Sequence, residues 1–110
     1  MSSWKLASAD HTLAVNLVAD GNGPLNGTLT FNGGTYPVAG GWSASGSITG
    51  RKYSAFSLQG QTQRDVPNWI AAAGIMTGPG DAPEKIDIQI DVTFSADGIF
   101  RHYSGVLVPV

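Results

Sequence analysis

The sequence predicts an all-β chain, closed as a compact antiparallel up-and-down β-barrel of about 7–8 strands, with a β-sandwich as the alternative. Three observations carry this. The stretch "KIDIQIDVTF", Lys85 to Phe94, alternates strictly, with Ile86, Ile88, Ile90 and Val92 on one side and Asp87, Gln89, Asp91 and Thr93 on the other. Clusters of turn residues recur at roughly ten-residue intervals, the rhythm of a meander. Glycines also fall inside the expected strands, at Gly27, Gly40, Gly60, Gly74 and Gly105. A glycine there costs stability unless the backbone must bend or approach another strand closely, so they point to a strongly coiled sheet.

The elements follow in chain order. "HTLAVNLVAD" sets Leu13, Val15, Leu17 and Ala19 on one face and ends in the turn cluster "DGNGP". "LNGTLTF" keeps Leu25, Leu29 and Phe31 in phase, and the following "NGG" is a hairpin turn. In "TYPVAGGW", Tyr36, Val38, Gly40 and Trp42 share a face. Pro37 cannot donate to a ladder, which makes this segment an edge, a bulge or a strand start. "SASGSITG" is a small-residue connection, after which "RKYSAFSLQGQTQ" returns as a strand with Phe56 and Leu58 in phase. "RDVPNWIAAAGIMTGPG" is ambiguous. Pro67, the alanine run and Gly74 fit a helix, whereas Ile70, Ala72, Gly74 and Met76 opposite Trp69, Ala71, Ala73 and Ile75 fit a strand. A strand is preferred, because a lone helix would interrupt the meander. Glu84 to Ser95 and "IFRHYSGVLVPV", joined by "SADG", complete the sheet. No linker, second domain or internal repeat is visible, so residues 1–110 read as a single β-barrel domain.

Composition excludes several kinds of chemistry. Charged residues are 13% of the chain, about half the usual share. The polar surface must therefore come from Ser, Thr, Asn and Gln. A net charge of −2, with Arg51-Lys52 the sole adjacent basic pair, argues against nucleic acid and anionic membranes as partners. No apolar run approaches the roughly 18 residues of a membrane helix. With no cysteine there are no disulfides, thiolate metal sites or cysteine nucleophiles. The opening "MSSWKLASADHT" shows no signal peptide, although low charge and small polar residues lean extracytoplasmic.

The acids of "KIDIQIDVTF" are spaced for a wet face rather than a site. Residues four apart on a strand are about 13 Å from each other, too far for Asp87 and Asp91 to share a proton or metal ion. His11 and His102 are the only histidines, so a three-histidine zinc site is impossible; a two-histidine site completed by Asp10 or another acid stays open, and no metal or other cofactor is expected. "GWSASG" lacks the second glycine of a nucleophile elbow, and "GNGPLNG" has the wrong spacing for a dinucleotide fingerprint. An enzyme reading rests on His102 as general base with an acid from a neighbouring strand, bordered by Arg101 and Tyr103.

The remaining signal is aromatic. Trp42, Tyr53, Trp69 and Tyr103 fall near strand ends, beside Arg51, Arg64, Asn68 and His102. Together these eight residues are the expected ligand-binding set at an open barrel end, where rings stack on an apolar ligand face and amides and guanidinium groups fix its polar edge. The competing role for Trp42 and Trp69 is to plug the barrel ends. Tryptophans at strand starts within a strand–glycine–turn rhythm make the chain similar to small up-and-down ligand barrels of the avidin and lipocalin kind. That resemblance is one of pattern, and no functional residue is carried over from it. The expected function is non-catalytic binding of a sugar or other small ligand. The alternative is assembly as a homo-oligomer through the outer faces of Ile70 to Met76 and Val106 to Val110, which are apolar on both sides.

Overall fold

The computed structural model describes residues 2–21, 23–43, 46–62, 68–80, 82–94 and 99–110. Nine strands follow one another: β1 (Ser2–Ala7), β2 (Leu13–Ala19), β3 (Pro24–Phe31), β4 (Gly34–Trp42), β5 (Gly46–Ile48), β6 (Arg51–Gln61), β7 (Trp69–Thr77), β8 (Lys85–Phe94) and β9 (Ile99–Pro109). Every pairing is antiparallel, in the order β4-β3-β2-β1-β9-β8-β7-β6, and β4 pairs β6 to close the ring. The result is a closed eight-stranded barrel, with β5 as an extra strand that, among the described residues, pairs with β6. The ambiguous segment is strand, because β7 alternates between core and surface: Ile70, Ala72 and Met76 are buried, whereas Ala71, Ala73 and Ile75 are exposed. Two of its three alanines therefore face outward.

Two elements differ from the sequence expectation. β1 precedes the first strand that alternation reveals, and it supplies Trp4 and Leu6, both fully buried. Two inward side chains are too few to register as a pattern. The small-residue connection also contains β5, made by a two-residue hairpin turn at Thr49 and Gly50. Both residues have positive φ (51° and 81°), as Asn32 and Gly33 do (48° and 81°) between β3 and β4.

The interior is filled by side chains. Leu17, Leu25, Leu29, Ile86, Ile88, Ile90, Val92 and Leu107 are fully buried along its length, and Phe56, Leu58 and Met76 join them. An eight-stranded barrel has a bore that such residues can just fill. Apolar inside and amide- and acid-bearing outside is the reverse of an outer-membrane barrel. No helix among the described residues is long and apolar enough to cross a membrane.

Tight coiling of the ring leaves no room for a Cβ at four strand glycines, Gly27, Gly40, Gly60 and Gly74. A Cβ on Gly74 would drive into the Asp87 carbonyl of β8, and one on Gly40 into the Ser57 carbonyl of β6. Gly105 differs, since its Cβ would meet nothing nearer than Leu13 Cδ2 at 3.7 Å. Its glycine is not demanded by closure. Pro37 sits just before Val38, the first β4 residue paired to β6, so its missing N–H falls where the second ladder has not begun. Gly74→Ala is expected to lower unfolding free energy by about 3 kcal/mol, because backbone cannot yield as a side chain can. Gly105→Ala should change it by less than about 0.5 kcal/mol. Paired urea denaturation curves with unchanged slopes would check the contrast.

Candidate functional site

The barrel has two unlike ends. At one, Trp4 and Trp42 meet edge-on with ring centroids 6.1 Å apart, and Trp4 meets Phe56 at 6.3 Å. Both indoles are tied down: Trp4 Nε1–H donates to the Gly80 carbonyl and Trp42 Nε1–H to the Asp20 carbonyl, each at 2.8 Å. Gly80 lies under the Trp42 ring so closely that a Cβ would come within 2.7 Å of Cη2. Trp42 is thus part of a stopper. At the other end the Phe31 and Tyr103 rings pack at 4.6 Å, so Tyr103 points inward against the core.

The eight residues expected at one rim are dispersed. Trp42, Arg51 and Tyr53 lie at the stoppered end, with Arg51 exposed and Tyr53 on the outward parity of β6. Asn68 and Trp69 lie at the opposite end, at the start of β7, where Asn68 and Thr62 exchange two 2.9 Å hydrogen bonds. Arg64 lies outside the described residues. Trp69 is 49% exposed and points away from the bore, so it is neither plug nor inner rim. His102 also faces outward, opposite Asp91 on β8, and its Nδ1 contacts the Asp91 carboxylate. That pair provides the carboxylate a histidine base would use, but the His102 side chain is 80% exposed and no cleft encloses it.

Register brings together a different group on the outside of β6–β9. One cross-strand row runs Gln61, Trp69, Thr93, Phe100. Gln61 pairs Trp69, the Trp69 backbone N–H donates to Thr93 Oγ1 at 3.0 Å, and Thr93 pairs Phe100. The next row runs Gln59, Ala71, Asp91, His102. Phe100 is 72% exposed. The two rows border a depression of about 530 Å³, walled by Gln59, Gln61, Trp69, Asp91, Thr93 and Phe100, with Ala71 among its lining. It continues over Ala73 toward Gln89 and Ser57. The small side chains of β7 make a trough between the amides of β6 and the acids of β8.

Of this group the sequence pattern singled out Trp69 and His102 and missed Phe100, Gln59, Gln61 and Thr93. Outward parity was available as a signal, since Phe100 is out of phase with inward Tyr103. Which outward residues become neighbours depends on register, which one strand's sequence does not contain.

Asp10 serves structure. Asp10 Oδ1 accepts from Ser8 Oγ at 2.8 Å and from Thr12 N–H and Oγ1 at 3.1 and 2.9 Å, closing the β1–β2 turn in which His11 takes a positive φ of 59°. The Ser8 hydroxyl, then the Thr12 donors, hold its carboxyl below the ordinary aspartate value. Among the described residues no three His, Asp or Glu side chains gather to hold a metal ion. No family model matches the chain, and neither do any curated proteins or solved structures.

A depressed aspartate stabilises the fold above its unfolded-state pKa, and that contribution is lost as pH falls through the lower folded value. Asp10→Asn should therefore lower the neutral plateau of the melting-temperature profile and flatten its acid limb, the two profiles converging at low pH. Carboxyl carbon shifts followed by NMR should place the Asp10 midpoint below that of aspartate in an unfolded chain.

Proposed function

We propose that the protein is a non-catalytic binding protein that holds a linear, largely neutral glycan across the outside of β6–β9. The observation that carries this is the row containing Trp69 and Phe100, two exposed rings with Thr93 between them and Gln61 beside Trp69. Two inter-strand spacings set the rings about 10 Å apart. That separation suits a chain of pyranose rings stacking on every second unit. Aromatic faces take up the apolar C–H face of a sugar, while amides and a carboxylate bind its hydroxyls. Gln59, Gln61 and Asp91 supply that second set. The filled bore favours the exterior over a ligand inside the barrel, as the stopper of Trp4 and Trp42 does.

Titration with neutral β-linked oligosaccharides, read by tryptophan fluorescence, tests the proposal. Trp69 is the exposed reporter, and saturable change is expected only with oligomers long enough to reach both rings. Trp69→Ala should weaken binding, measured by calorimetry, by about tenfold or more, and Phe100→Ala by a similar factor. A panel giving no saturable response, or unaltered affinity in Trp69→Ala, would remove the proposal.

A further inference from the structure

We infer that a second copy of this chain docks on the outer face of β8 and β9 at the stoppered end, through a patch that is self-complementary in both shape and charge. The inference goes beyond glycan binding and uses different residues. Of the large apolar side chains left exposed among the described residues, Ile75, Val106 and Val108 lie together: they are 45%, 48% and 47% exposed, and Ile75 and Val106 flank Asp87 in one cross-strand row. Val110, 78% exposed, continues the line, its N–H donating to the Lys5 carbonyl. Scattered exposed aliphatics need no explanation, but an aligned cluster on a sheet face marks a contact surface.

Charge selects the occupant. Lys85 and Asp87 stand two residues apart on β8, beside this cluster, with Nζ and Oδ2 3.5 Å apart and both side chains about half exposed. They flank buried Ile86. Consider a two-fold axis lying between two such faces and crossing β8 near Ile86. It sets Lys85 over the partner's Asp87 and Asp87 over the partner's Lys85, and places Val106 against the partner's Val108. A surface with one cation and one anion symmetrically disposed about a point is complementary to its own copy, as an isologous interface requires. Beside it, a depression of about 600 Å³ with Gly74 and Gly105 in its lining leaves room for an incoming aliphatic side chain. In this arrangement the two aromatic rows lie at opposite ends of the pair, about 45 Å apart.

Sedimentation equilibrium over a dilution series tests this with the intact chain. The wild type is expected to show a reversible monomer–dimer equilibrium, and Val106→Asp to be monomeric with an unchanged circular dichroism spectrum. Lys85→Glu alone sets like charges together and should weaken dimerisation about tenfold, a change of about 1.4 kcal/mol. Asp87→Lys should do the same. The double variant K85E/D87K reverses the pair and should return the dimer constant to within about threefold of wild type. A wild type that stays monomeric at millimolar concentration overturns the inference. So does a Val106→Asp dimer, or a double variant no better than either single one. Oligosaccharide affinity per site in the Val106→Asp monomer is a separate readout, so failure of the dimer and failure of glycan binding are distinguishable.

Discussion

Eight strands close into a ring whose bore is about as wide as the side chains that fill it, and this constraint governs the rest of the molecule. Because inward residues alternate with outward ones, one choice of parity for each strand sends most of its large aliphatic side chains to the axis and most polar ones outside. The ring closes only if backbones approach closely, which is why Gly40 and Gly74 have no side chain where the carbonyls of Ser57 and Asp87 press in. The axis is packed and one end is stoppered by Trp4, Trp42 and Phe56, so among the described residues the exposed side chains lie on the exterior.

That exterior is unusual in being poor in charge. Charged residues are 13% of the chain, and β8 carries three of them, Lys85, Asp87 and Asp91, on its outward parity. Asp87 is paired with Lys85 and Asp91 with His102. Exposed pairs of this kind add little stability, at most about 1 kcal/mol each. On the proposed dimer face, the pattern of sign at Lys85 and Asp87 would discriminate between partners more than it strengthens any one contact. The aromatic row at one end of the face and the valine cluster at the other divide it into two regions of different character.

How far the sequence foretold this depends on the residue. The zigzag of β8 is legible because five consecutive pairs alternate, and the Asn32–Gly33 hairpin because asparagine and glycine tolerate the positive φ its turn needs. The strand character of β7 was legible only by analogy with its neighbours, since alanines satisfy a helix equally well. β1 was not, although Trp4 is among the most buried residues of the core. The expected rim failed to assemble for a topological reason. Trp42 and Trp69 both lie at strand ends, but at opposite ends of the barrel, and strand-end position alone does not say which end. Trp69 and Phe100 are neighbours in a row although 31 residues separate them in the chain, a relation created by the β7–β8–β9 registers.

The claim beneath this account is that the bore is sealed and the outside is the working surface. Hydrogen exchange of the three indole N–H groups, followed by NMR in the free protein, tests it most directly. The Trp4 indole, buried and bonded to the Gly80 carbonyl, should exchange orders of magnitude more slowly than that of Trp69, which faces solvent. A Trp4 indole exchanging as fast as that of Trp69 would mean that water reaches the axis, and would contradict the account.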